Sequence, residues 1–235
     1  MTSEGGAPRA GESVSHWIAL FVVGNAAAAI VVVASGYVDT PTADTPTWVF
    51  ALSAAAMWAV SLYVVRRFVT SRSSVGFRRG IGLVFRPADS WGIAIGLASQ
   101  LVLVNLVNWP LGRLFPDTFN FEEVSRRATD LTDASTGAWI ALLGAIVVVG
   151  APFVEEIVYR GMVQPGLMTS WGPRVGTIVT AILFAAIHFV PVEFPGLFAF
   201  ALVLGWARNR TGTLGLAIVT HMAFNAAGLG LALLG

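Results

Sequence analysis

The sequence predicts an all-α polytopic membrane bundle of about seven, or eight, transmembrane helices, with a conical or hydrated cavity open toward the cytoplasmic side. Three observations lead there. The 235 residues are 56% hydrophobic and only 11% charged, with a mean hydropathy of +0.75, where a soluble domain carries about 25% charged residues. Apolar runs recur at lengths that cross about 30 Å of hydrocarbon at about 1.5 Å per residue. The later runs also contain Glu155, Glu156, Arg160, His188, His221 and Asn225. A charge at the bilayer centre costs roughly 2.5–3.5 kcal/mol, so these groups need partners or a polar cavity.

Met1 to Ser15 is polar and Gly/Ser-rich and is expected to be a disordered tail, leaving 16–235 as one membrane domain with its motif-bearing core at 139–235. Trp17 to Val38 is the first spanning run. A Pro/Thr/Asp connector leads to a second, Trp48 to Val65, with an aromatic anchor near each end. Arg66, Arg67, Arg72, Arg78, Arg79 and Arg86 follow without an acidic residue among them, which marks a cytoplasmic loop; its apolar residues suit a surface-lying basic anchor. The third helix runs from Trp91 to about Leu111. Gly112 to Gly137, with five acidic and three basic residues, suits an external loop with a short surface helix.

The fourth helix starts at Trp139 and carries the two glutamates inward. A reversal near Thr169 to Gly172 precedes a fifth helix from Pro173, a residue suited to a first helical turn, to about His188. The apolar run Pro195 to Ala207 is only about 13 residues, short for a span. Arg208-Asn209-Arg210 returns the chain to the cytoplasmic side, and a last helix runs from Thr213. This places the N-terminus inside and the C-terminus outside. No internal repeat of a two-halved transporter is visible.

Several chemistries are excluded. The chain has no cysteine, hence no disulfide, thiolate metal site or cysteine nucleophile. A net charge of +1 with dispersed arginines gives no nucleic-acid signal. Every basic residue is Arg, which with the Ala, Val and Gly bias points to the plasma membrane of a prokaryote with a GC-rich genome.

The polar groups fall into three pairs at i and i+4, each on one helix face: Glu156 with Arg160, Phe184 with His188, and His221 with Asn225. Glu156 and Arg160 can neutralise each other. Glu155 is turned about 100° away and has no local partner. At helical rise Glu155 lies about 20 Å from Met168, His188 about 22 Å from Pro173, and His221 about 12 Å into the last helix, which are compatible depths. His16 has no motif around it and is expected at the interface. Glu122-Glu123-Val124-Ser125-Arg126-Arg127 repeats the spacing of two glutamates before an arginine, but in polar surroundings, and reads as a solvated helix face.

Glu155-Glu156-x-x-x-Arg160, Phe184-x-x-x-His188 and His221-x-x-x-Asn225, in this order on separate hydrophobic helices, resemble the CAAX-protease and bacteriocin-processing family of intramembrane endopeptidases, also called the Abi family. The resemblance covers about 149–226. It implies that Glu155 activates water assisted by His188, that His221 and Asn225 stabilise the oxyanion, and that Glu156, Arg160 and Phe184 support them. Hydrolysis of an amide needs those functions, and a neutral Asn amide is a usual oxyanion donor.

No metal is favoured. The competing scheme is a catalytic Zn2+ held by Glu155, His188 and His221, although the helical H-E-x-x-H spacing is absent. A non-catalytic scaffold or immunity-type membrane protein also fits the buried polar set, as does a small transporter with Glu155 as proton relay. The expected partners are membrane lipids and a membrane-associated protein or peptide substrate. In a prokaryote a peptide or membrane-protein precursor is a better candidate than a prenylated substrate.

Overall fold

The computed structural model describes residues 8–72, 74–119 and 121–234, all helix and connecting turns, with no strand among them. We number the helices α1 (Ala10–Ser35), α2 (Thr47–Thr70), α3 (Pro87–Leu114), α4 (Phe121–Asp133), α5 (138–171), α6 (173–186), α7 (Phe194–Thr211) and α8 (Gly215–Leu234). Five helical stretches are long and apolar enough to cross a membrane: α1, α2, α3, the continuous Ala138–Ala186 that contains α5 and α6, and α8. The chain is a membrane protein built as a helical bundle.

Of the expected tail, residues 1–7 lie outside the described residues, while Ala10 to Ser15 already form the first turns of α1. Glu12 explains this start, because its carboxylate accepts the Arg9 backbone N–H at 3.2 Å and caps an otherwise open helix end. His16 lies on the same stretch with its ring edge against Phe68, away from the other histidines.

α5 and α6 form a hairpin at Gly172, whose φ of 81° and ψ of 165° are open to glycine and costly for residues with a Cβ. Pro173 starts the return. The two arms press together so closely that a Cβ on Gly176 would lie 2.6 Å from the Met168 backbone nitrogen. This reversal, expected from the sequence, carries Phe184 back to Tyr159 and Arg160.

α3 packs on α8 through Gly92 and Gly96, a G-x-x-x-G pair of the kind that lets membrane helices approach backbone to backbone. A Cβ at Gly96 would lie 2.8 Å from the Phe224 backbone nitrogen. That contact sets the depth of His221 and Asn225 on α8.

Two expectations are corrected. The sixth element, α7, is not limited to the apolar run of about 13 residues. It continues through Arg208, Asn209 and Arg210 to 18 residues, with Arg208 bonded to the Arg160 carbonyl and the exposed Asn209 to Gln164. The arginine-rich segment is also more than a surface anchor. Its Ile81 is fully buried against Gly161, and the Leu214 backbone N–H donates to the Gly82 carbonyl at 2.8 Å, while Val75, Val84 and Phe85 stay exposed.

At the other end, α4 is tied to the start of α2 by Thr47 and Ser135, whose hydroxyls are 2.7 Å apart. Arg126 pairs with Glu123 on its exposed face at 3.4 Å, as expected of a solvated helix. The side chains of Glu122, Val124, Ser125 and Arg127 lie outside the described residues.

Candidate active site

The two glutamates occupy a segment where the α-helical ladder is twice interrupted. Residues Ala145–Gly150 and Tyr159–Val163 are π-helical, with the N–H of Ala151 bonded to the Ile146 carbonyl and that of Gln164 to the Tyr159 carbonyl. The next residue in each case is a proline, Pro152 or Pro165, which has no N–H to give. In the i→i+5 register the carbonyls of Val147 and Arg160 are therefore left without a backbone donor. Side chains from other helices take their place. Asn225 Nδ2 donates to Val147 at 2.8 Å, and Arg208 Nε donates to Arg160 at 3.1 Å. The pattern ties α8 and α7 to α5 on either side of Glu155 and Glu156.

Glu156 and Arg160 are fully buried and paired, with Arg160 Nη1 donating to Glu156 Oε1 at 3.0 Å. Arg160 Nη2 donates to the Ala201 carbonyl of α7 at 3.0 Å, and its guanidinium lies over the Phe184 ring at 4.9 Å. The expected pair is thus present, with a third member. His221 Nδ1 donates to the same Glu156 oxygen at 2.9 Å.

Because the carboxylate can only accept, this bond fixes the proton on Nδ1 and turns Nε2 toward Glu155, whose Oε2 lies 3.8 Å away. Glu155 is the more open carboxylate, with 28% of its side chain exposed against none of Glu156. Phe184 supports the set from below, its ring edge-on to His221 at 5.7 Å and to Tyr159 at 5.2 Å, and 5.1 Å from the His188 ring. Phe200 closes the other side of His221 at 5.4 Å and stacks on Phe224.

His188 lies just past the end of α6 instead of within it, since the helix stops at Ala186. Its backbone N–H turns back to Ala185, and its Nδ1 donates to the Phe184 carbonyl at 2.8 Å, one of the orphan acceptors of a helix end. The chain leaves the helix through Phe189, which holds a φ of 54° that non-glycine residues seldom adopt. His188 is thereby held with Nε2 free.

Glu155, His188 and Asn225 line one cavity of about 320 Å³, together with residues of α3, α4, α7 and α8 that include Gln100, Asn108, Leu131, Gly196 and Gly228. The cavity lies on the α4 side of the glutamates. It is separate from the arginine-bearing end of the bundle. That end is filled by the buried side chains of Ile157, Met162, Leu167, Leu204, Leu214 and Ile218, and by Gln164, which bonds to the Gly205 carbonyl and to Asn209.

All four expected catalytic residues are near one another: His221 reaches Glu155 directly, and the other three share the cavity wall. Among the described residues no group of three or more His, Asp or Glu side chains lies close enough together to hold a metal ion.

Sequence reasoning missed the carbonyl bonds, for which Pro152 and Pro165 beside the glutamates were the available signal. It also passed over Gln100 and the cavity role of Asn108. Comparison with curated proteins and with solved structures gives no match. Residues 137–227, the segment that carries all three motifs, match the family described as type II CAAX prenyl endopeptidase Rce1-like, in agreement with the resemblance seen in the motifs themselves.

Proposed function

We propose that the chain is an intramembrane endopeptidase that hydrolyses a peptide bond of a membrane-associated protein or peptide with a water activated by Glu155. The observation that carries this reading is the pairing of an open carboxylate with a clamped imidazole: Glu155 Oε2 is 3.8 Å from His221 Nε2 while His221 Nδ1 is held by Glu156. The match to the endopeptidase family supports it.

The steps follow from the donors and acceptors present. Water sits between Glu155 and His188, giving one proton to the carboxylate while Nε2 of His188 accepts its second hydrogen bond and aims the oxygen. The oxygen attacks the substrate carbonyl, and the charge that develops there is met by the Asn225 amide hydrogen that Val147 does not use. In the protonated state His221 gives a second donor from Nε2. Before proton transfer Glu155⁻, Glu156⁻, Arg160⁺ and a doubly protonated His221⁺ sum to zero, and the sum holds after it because the proton gained by Glu155 offsets the charge on the oxyanion. Collapse of the intermediate breaks the C–N bond, and the protonated Glu155 returns its proton to the leaving amine. Water has been consumed, and an acid and an amine released. No metal is required in this scheme.

The test is comparative membrane proteomics of cells carrying wild type or Glu155→Gln. A membrane protein or peptide that accumulates uncut only in the variant supports the proposal. An unchanged peptide inventory, with both proteins present at equal level, would overturn it.

A further inference from the structure

The cavity wall contributed by α3 has a feature the catalytic scheme does not use. Gln100, Val104 and Asn108 all line the cavity. In a regular α-helix residues eight apart are about 80° out of line, but the π-helical turn Ser99–Leu103 adds one residue to the turn and brings Gln100 and Asn108 into a single row about 12 Å long. Both carboxamides are half-buried. Neither has a hydrogen-bond partner among the described residues, and Asn108 Oδ1 is wholly shielded from solvent. An unpaired polar atom that faces the cavity costs free energy unless something there completes it.

Opposite them stand two glycines that also line the cavity. A Cβ built on Gly228 would meet the Gln100 carboxamide at 3.7–3.8 Å, and one on Gly196 would lie 3.9 Å from Asn108 Nδ2. A Cβ at either position would make only ordinary van der Waals contact, so each carboxamide lies beside a glycine of the facing helix.

The Gln100 carboxamide both donates and accepts, which is the complement of one peptide unit, while Asn108, with Oδ1 shielded, offers its Nδ2 donor to a peptide carbonyl. The two groups, about 12 Å apart, match three to four residues of extended chain at about 3.3 Å per residue. Apart from Glu193 and the catalytic set, the rest of the wall is apolar, with Ile146, Val147, Leu131, Leu197 and Leu229. We propose that the row Gln100–Asn108 docks the main chain of an extended peptide, three to four residues of it, and so sets which bond lies over Glu155. This rests on the endopeptidase reading above. It makes Gln100 and Asn108 substrate-binding residues that choose register more than side-chain identity.

The experiment uses the purified full-length chain in detergent and a degenerate library of end-blocked peptides built from small and apolar residues, with cleavage read by mass spectrometry and the best-cleaved peptide then taken for kinetics. Asn108→Ala and Gln100→Ala should each raise KM about five- to tenfold with kcat within twofold of wild type. Leu106→Ala, on the exposed face of the same helix, should leave both unchanged. N-methylation of the one peptide amide that docks on Gln100 should raise KM for wild type and have no further effect on Gln100→Ala, a result that a merely structural glutamine would not give.

Binding to Glu155→Gln, followed by fluorescence with the same peptides, separates the two readings. If Glu155→Gln binds peptide in an Asn108-dependent manner and wild type cleaves none, docking stands and the endopeptidase reading falls. If wild type cleaves with a KM indifferent to both carboxamides and to N-methylation, or if no peptide binds, the docking row is overturned. Should either alanine variant fold poorly, Gln100→Ser with the N-methyl series and Asn108→Ser with the unmodified peptide serve the same comparison.

Discussion

His221 Nδ1 lies 2.9 Å from Glu156 Oε1, so the second glutamate of the pair orients the imidazole that faces the first. Adjacent residues of identical chemistry thus do different work, since about 100° of helical rotation aims one into the cavity and the other into the packed interior. The consequences can be measured.

Glu155→Gln keeps the shape of a side chain that is 28% exposed and whose contact with His221 Nε2, at 3.8 Å, is longer than a hydrogen bond. Peptide cleavage should fall at least about 100-fold through loss of the general base, with the thermal midpoint in detergent unchanged. A large drop in the midpoint would instead assign Glu155 to the scaffold.

Glu156→Gln and Arg160→Met each strand one buried charge, and each should destabilise by about 3–5 kcal/mol, read as a lower unfolding midpoint. The double variant Glu156→Gln/Arg160→Met should recover much of that stability. It should not recover activity, because a neutral amide holds His221 Nδ1 far less firmly. Recovery of both would show that the pair serves stability alone.

Asn225→Ala removes the proposed oxyanion donor and the partner of the Val147 carbonyl. We expect kcat to fall about 100- to 1000-fold with little change in KM, from steady-state rates on one peptide.

Pro152→Ala restores an N–H beside the π-helical turn at Ala145–Gly150. That N–H can compete with Asn225 for the Val147 carbonyl and let the turn tighten, shifting Glu155 on its helix. Activity should fall about tenfold or more although no reacting group has changed, since small misplacements are costly in catalysis. Stability should hold or rise, because proline in a helix interior is unfavourable by about 3 kcal/mol.

Incubation with a strong chelator followed by dialysis should leave cleavage by the purified chain unchanged. Loss of activity that returns on adding Zn2+ would replace the glutamate–water scheme with metal catalysis.

Much of the site was legible because hydropathy exposes what does not belong in a membrane. Glu155, Glu156, Arg160, His188, His221 and Asn225 stand out against apolar runs, their i and i+4 spacing puts partners on one face, and helical rise places them at matching depths. The reversal at Gly172-Pro173 was equally visible. The extent of α7 was not, because an apolar run ends where side chains become polar, whereas a helix ends where its backbone bonds do. Arg208 and Asn209 are polar yet internally bonded.

By itself, then, the sequence determined the membrane bundle, the order of its elements and which polar side chains lie at compatible depths, since all of these follow from composition and helical period. Only the tertiary structure decided what each does there. That His221 is clamped by Glu156, that Asn225 and Arg208 answer carbonyls orphaned by Pro152 and Pro165, and that the cavity lies on the α4 side depend on π-helical turns and on close contacts such as Gly96 against Phe224. Those features arise where helices far apart in the chain compete for the same space and the same hydrogen bonds, and no periodicity along one helix records that competition.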